Sequence, residues 1–150
     1  MTGPIETELQ VLPGFLIRRA HQVSAAVLNA ELNGLGITPS QFVVLTVIAA
    51  LPGRDQISVA NIAKLDRSTM TLVIRKLESS GIVMRDQDPM DGRRKTLTIT
   101  ALGRNILCAA KENSSAARQR QLSPFSLGEA KEFMRLLGQF VERLENGVVE

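Results

Sequence analysis

Tryptophan and tyrosine are absent from this chain, and cysteine and histidine occur once each, as Cys108 and His21. Platforms that stack single-stranded bases are built on aromatic rings, so the lack of Trp and Tyr argues against one. A single cysteine excludes an intramolecular disulfide and a thiolate metal cluster. One histidine excludes a histidine-rich metal site within the chain. Neither metal nor cofactor is therefore expected. No apolar run reaches the ~18 residues that a bilayer span requires. Met1 to Gln10 carries Glu6 and Glu8 and no basic residue, unlike a secretory leader. The expected location is cytoplasmic. No nucleophile–base pair, phosphate-binding glycine loop or metal-ligand spacing is present, so the chain does not read as an enzyme.

What remains is an ordinary composition with an uneven charge distribution. The 150 residues are 44% hydrophobic and 22% charged, with formal charge +3. A domain of this size buries roughly 70% of its unfolded surface, enough for a core without staples. Basic residues gather at Arg75, Lys76, Arg85, Arg93, Arg94 and Lys95, while Glu6, Glu8, Glu142, Glu145 and Glu150 lie near the ends. The placement of charge says more about a polyanionic partner than its total does.

Apolar periodicity sets out the elements. Leu16, Ala20, Val23, Val27 and Ala30 recur at helical steps, giving a helix from Phe15 to about Asn33 that ends at Gly34 and Gly36. Thr38-Pro39-Ser40-Gln41 is a capping box that opens a second helix, stopped by Pro52-Gly53. The nearly continuous apolar run of that helix implies burial on most sides. Ser58 is the expected cap of a short third helix, Val59 to about Lys64. Asp66 caps a fourth, Arg67 to Ser80, closed by Gly81. Two short helices joined by a tight turn spell helix–turn–helix. Ile82 to Arg85 and Thr96 to Thr100 read as strands around the turn residues Asp88-Pro89-Met90-Asp91-Gly92. In the second strand Leu97 and Ile99 share one face, and Thr96, Thr98 and Thr100 the other. Thr100 starts a fifth helix reaching about Gln121, which Ser123-Pro124 breaks. Ser126-Leu127-Gly128-Glu129 is a second capping box for a last helix to about Asn146. The expected fold is mainly α with a small β-hairpin: a winged helix–turn–helix with further helices on either side.

The fourth helix and the hairpin carry the chemistry. Met70, Val73, Ile74 and Leu77 form an inward stripe. The opposite face holds Ser68, Thr71, Leu72 and Arg75, with Arg67, Thr69 and Lys76 beside it. Short hydroxyls near a helix start reach base edges or phosphates, and arginine pairs with guanine. Leu72 on an outer face suits a thymine methyl. Arg93, Arg94 and Lys95 follow a projecting turn. An Asp91–Arg93 ion pair is expected to hold the guanidinium extended for a narrow minor groove.

These segments resemble the MarR family of bacterial regulators over about Gly14 to Leu144. Leu65-Asp66-Arg67-Ser68-Thr69, with Leu77-Glu78 and Gly81-Ile82-Val83, is similar to the family's recognition helix and first strand. Asp88-Pro89-Met90-Asp91-Gly92-Arg93-Arg94 is similar to its wing, and Leu97-Thr98-Ile99-Thr100-Ala101-Leu102-Gly103 to the run into the next helix. The resemblance implies one domain over residues 1–150. Dimerisation helices would span about 8–33 and 101–146, around a winged helix–turn–helix at about 38–100. It implies a homodimeric repressor of a pseudo-palindromic double-stranded operator, released by a small organic effector, often an aromatic carboxylate. By the same analogy Arg93 enters the minor groove and Asp91 orients it. Lys64 stands where the family commonly has a turn glycine, which implies a more open turn. Leu72 stands where a basic residue is common. Phe15 to Gln22, with Asp55-Gln56, resembles members that govern aromatic-acid catabolism.

Arg18, His21 and Gln22 fall on one helix face. Arginine clamps a carboxylate bidentately, and His or Gln reads a ring substituent. These three, with Phe42 and Leu45 as an apolar wall, form the candidate effector site; an interface pairing of the same face is the competing reading. The wide apolar stripe of the last helix, Phe133, Leu136, Leu137, Phe140, Val141 and Leu144, calls for a second chain to cover it. Cys108 is expected to be buried and inert. A thiol-based redox sensor through Cys108 is the alternative function.

Overall fold

The computed structural model describes residues 8–147. Glu6, Glu150 and most of the acidic N-terminal stretch noted above lie outside the described residues.

Helix α1, Pro13–Leu32, starts on a proline and ends in a short 3-10 turn, Asn33–Leu35. Gly36 leaves that turn at φ 68°, a left-handed conformation for which glycine has no steric penalty. The capping box of α2, Pro39–Ala50, is reciprocal. The Thr38 hydroxyl accepts from the Gln41 amide at 3.3 Å, and the Thr38 N–H donates to Gln41 Oε1 at 2.8 Å. Helix α3 spans Gln56–Ala63, and its cap is Asp55 rather than Ser58. The Ser58 amide is the donor in that cap, to Asp55 Oδ1 at 2.8 Å. A carboxylate three residues upstream of a free amide is the stronger acceptor. Helix α4, Arg67–Ser79, is capped by Asp66 as expected.

Strands β1, Val83–Gln87, and β2, Lys95–Ile99, pair antiparallel with Val83 opposite Ile99 and Gln87 opposite Lys95. Strand β1 starts one residue and ends two residues later than expected, and β2 lies one residue earlier at both ends. Thr100 is not in the strand: its hydroxyl accepts from the Gly103 amide and caps the next helix. Thr96 is buried alongside Leu97, so the clean two-faced alternation is lost there. Asp55 forms a bridge beside Thr96, and the Leu97 N–H donates to the Arg54 carbonyl at 2.9 Å. Helices α5, Ala101–Leu122, and α6, Leu127–Gly147, complete the chain, and the Ser126–Glu129 capping box forms as expected.

One core joins these elements. Val44, Leu45 and Ile48 of α2, Val59 of α3, Met70, Ile74 and Leu77 of α4, and Leu97 of β2 are buried together. Leu32 of α1 and Leu107 and Ala110 of α5 seal its far side. Gly103 lets α5 approach the sheet: an added Cβ would lie 2.2 Å from the Ile82 carbonyl oxygen. By contrast α6 has no buried residue, and Phe133, Leu136, Leu137, Phe140, Val141 and Leu144 are all exposed.

Candidate nucleic-acid interface

The inward stripe of α4 fixes what the helix shows outside. Met70, Val73, Ile74 and Leu77 are buried, which leaves Arg67, Ser68, Thr71, Leu72, Arg75 and Lys76 exposed. Leu72 is 63% exposed, with nothing apolar covering most of it. Two of the hydroxyls are committed within the protein. Thr69 donates to Asp66 Oδ2 at 2.6 Å while its amide donates to Oδ1 at 2.9 Å. These bonds hold the Asp66 carboxyl below its ordinary range. Thr71 donates to the Arg67 carbonyl at 2.8 Å and accepts from Gln56 Nε2 at 3.4 Å. Ser68, Leu72, Arg75 and Lys76 thus form the outer face, with Thr69 and Thr71 serving the helix itself.

The wing tip is shaped by aspartate acceptors. The Met90 N–H donates to Asp88 Oδ1 at 2.8 Å, and the Arg93 N–H donates to Asp91 Oδ1 at 3.0 Å. The Asp88 N–H and Arg94 carbonyl close the loop at 2.9 Å. Asp91 therefore fixes the backbone of Arg93 and not its guanidinium, which corrects the expected ion pair. The side-chain carboxylate is nearer the amide two residues on, the usual Asx-turn geometry. Arg93 and Lys95 are exposed, and Met90 is 94% exposed.

Arg94 differs from its neighbours. Its guanidinium pairs with the Asp55 carboxylate. Asp55 is held down to a pKa of about 2, first by the Ser58 amide bond and then by Arg94. Arg94 in turn is pushed up by Asp55. Arg85, on β1, donates to Gln56 Oε1 at 2.8 Å and to Glu78 Oε1 at 2.7 Å. Asp55, Gln56, Glu78 and Arg85 were not among the expected site residues. The signal for them was faint: polar residues at a helix start and a helix end, far apart in sequence.

The turn between α3 and α4 is closed, not open. Lys64 takes φ 55°, ψ 41°, its amide donates back to Ala60 and Asn61, and the Leu65 N–H reaches the Ala60 carbonyl at 3.0 Å. Backbone closure outweighs the side chain's left-handed strain of ~1–2 kcal/mol.

The candidate effector residues do not form one pocket within the chain. Arg18, His21 and Gln22 are exposed on α1. Arg18 lies over the Phe15 ring at 5.2 Å, and Gln22 accepts from Arg19 at 2.9 Å. Leu45 is wholly buried in the core, so it is no pocket wall; Phe42 is only half-buried against that core. Cys108 is exposed rather than buried, because α5 packs through Gly103, Leu107, Ala110 and Ala117 and Cys108 lies off that stripe. The guanidinium of nearby Arg104 donates to the Ile99 carbonyl at 3.0 Å. Among the described residues no group of acidic, His or Cys side chains could hold a metal, and no single helix is long and apolar enough to cross a membrane.

Residues 37–95, the span of the helix–turn–helix and wing, match the MarR family. Over 124 residues the chain is 33% identical to the HTH-type transcriptional repressor Rv2887 of Mycobacterium tuberculosis, covering 83% of this chain and 89% of that one. The chain belongs to the MarR family. It is a transcriptional repressor of MarR type, and this family's members are regulators rather than enzymes. The fold agrees with solved MarR-type structures. The PcaV regulator of Streptomyces coelicolor, in complex with its natural ligand, matches with TM-score 0.80 and 30% identity over 89% of this chain and 94% of that one. CouR, a repressor known from Rhodococcus jostii RHA1, was solved on a 23-mer DNA duplex. It matches with TM-score 0.83 and 26% identity over 89% of this chain and 95% of that one. Rv2887, solved with salicylic acid, matches with TM-score 0.71 and 32% identity over 87% of this chain and 96% of that one.

Proposed function

We propose that this MarR-type protein acts in the cytoplasm as a homodimer that represses transcription from a pseudo-palindromic operator and lets go when a small aromatic carboxylate binds. The observation that carries the DNA reading is the joint exposure of the α4 face and the wing tip on one chain. In that reading Ser68, Leu72, Arg75 and Lys76, with Arg67 at the helix start, meet the major groove. Arg93 and Lys95 meet the adjacent minor groove and its phosphates. Half-sites then lie about one helical turn apart, as two-fold related recognition helices require. Residues of about 8–33 and 101–146 make the dimer, and 38–100 the DNA-binding lobe. The bare apolar stripe of α6 supports a second chain. Rv2887 solved with salicylic acid supports the aromatic-carboxylate class, PcaV with its natural ligand supports a small-molecule effector, and CouR on its duplex supports the DNA partner. Arg18 is the anchor for the effector's carboxylate, with His21, Gln22 and Phe42 around it once a partner closes the site.

Selection of duplexes from a random pool tests the whole reading. The wild-type protein should enrich a palindrome and lose affinity steeply as salt rises. Arg75→Ala should cost roughly 1–3 kcal/mol on that duplex and little on random DNA. Equal loss on both would refute base reading. An aromatic acid such as salicylate should release the duplex from wild type but not from Arg18→Ala. The exposure of Cys108 favours a second reading, a thiol sensor. Peroxide that releases DNA from wild type and not from Cys108→Ser would establish it.

A further inference from the structure

The recognition helix and the wing are moored to the same two residues. Asp55 accepts from the Ser58 amide at 2.8 Å and pairs with Arg94 at the base of the wing tip. Its backbone bridges Thr96 of β2, and the Leu97 N–H takes the preceding carbonyl of Arg54. Gln56 faces the other way. Its amide nitrogen reaches Thr71 on the outer turn of α4 at 3.4 Å, and its oxygen accepts from Arg85 on β1 at 2.8 Å. Arg85 then returns to α4 through Glu78 at 2.7 Å. The start of α3, the recognition helix and both wing strands are thus joined by one polar circuit. A lone two-stranded ribbon is at best marginally stable in water, so something must hold this one at a set distance from α4.

We infer that Asp55 and Gln56 form a clasp that sets the spacing between the recognition helix and the wing, with Arg94 serving as its strap and not as a DNA contact. The inference rests on the operator reading above. It reverses the assignment that charge alone would give. Arg94 lies among cations that could meet phosphate, but its guanidinium is already taken by Asp55. It also reverses a sign. Removing a carboxylate beside a polyanion should tighten binding if charge alone counted. With a clasp, losing that carboxylate frees the wing and weakens binding. Asp55, Gln56 and Arg94 are positioning residues in this scheme, acting through Arg93 and the α4 face.

Asp55→Asn is the informative variant, since Asn caps a helix about as well as Asp and spares the start of α3. Affinity for the duplex selected by wild type is measured across a salt series for wild type, Asp55→Asn and Arg94→Gln. The expected result is a loss of fivefold or more for Asp55→Asn. Arg94→Gln should lose affinity with its salt slope unchanged. A smaller loss or tighter binding by Asp55→Asn overturns the clasp. So does a fall of about one in the salt slope of Arg94→Gln, which is the mark of a direct phosphate contact. Arg94→Gln leaves the α3 cap untouched and decides the matter alone if Asp55→Asn melts early. Failure of the wild-type protein to select any duplex would refute the operator reading, and the clasp with it.

Discussion

The winged lobe and the last helix solve the problem of apolar surface in opposite ways. In the lobe, α2, α3, α4 and β2 direct their apolar side chains to a common centre, where Val44, Leu45, Ile48, Val59, Met70, Ile74, Leu77 and Leu97 are essentially sealed. Helix α6 has a stripe just as apolar, yet buries none of it within the chain. The lobe is therefore a unit that one chain completes. Helix α6 leaves its apolar face uncovered. Under the proposed function, DNA reading belongs to the completed part, and the open face of α6 is where a second copy would dock.

That contrast can be broken from either side. The largest effect is expected from Leu45→Ala, which opens a hole in the sealed core and should cost about 2–5 kcal/mol. Denaturant melts should show this loss at every protein concentration, because no second chain is involved. Phe140→Asp attacks the other side. It places a charge in the open stripe, and ultracentrifugation should show monomers while DNA affinity falls about a hundredfold as bivalent engagement is lost. A Phe140→Asp protein that stays dimeric would place the interface elsewhere.

A smaller effect sharpens the lobe's own internal bracing. The Ser58 amide and Arg94 hold the Asp55 carboxyl down to about 2, against an ordinary 3.8. A lowered carboxyl stabilises the folded state above its unfolded pKa, and that gain disappears as pH falls from about 4 towards 2. Because solvent screens this surface pair and Asn keeps the Ser58 cap, wild type should exceed Asp55→Asn by no more than about 1 kcal/mol at neutral pH, and acid melts should show the gap closing through that window. The smallest change is expected at the α3–α4 turn. Lys64→Gly relieves left-handed strain and should raise stability by about 1 kcal/mol, a shift of roughly 2–4 °C in Tm. The exposed Lys64–Glu145 pair at 3.4 Å, lost in that variant, offsets little of it.

Helix caps and periodicity made most of the fold legible. Thr38, Asp66, Thr100 and Ser126 each announce a helix start by a short side chain placed before an apolar pattern, and each acts so in the structure. Ser58 misled because Asp55, three residues earlier, offers a better acceptor to the same turn. The exposed face of α4 was readable because its complement, the Met70–Leu77 stripe, is strictly periodic. Which hydroxyls on that face are free was not readable, since Thr71 is occupied by a glutamine fifteen residues away. The pairing of Arg94 with Asp55 was hidden for the same reason: sequence distance conceals a contact that only sheet closure creates. Leu45 and Phe42 are adjacent in type but not in burial, and periodicity within an almost wholly apolar helix carries no information on that difference.

The close seat of Gly103 on the Ile82 carbonyl also has a mechanical meaning. Thr100 ties the same junction, its hydroxyl donating to the Gly81 carbonyl at 2.7 Å and its amide to Ile82 at 3.1 Å. A close-packed joint with these two polar fastenings resists bending. In the proposed dimer, the wing and α5 are expected to move as one lever arm, with any change in the reach between lobes falling at the Gly34–Gly36 bend or the Ser123–Pro124 corner.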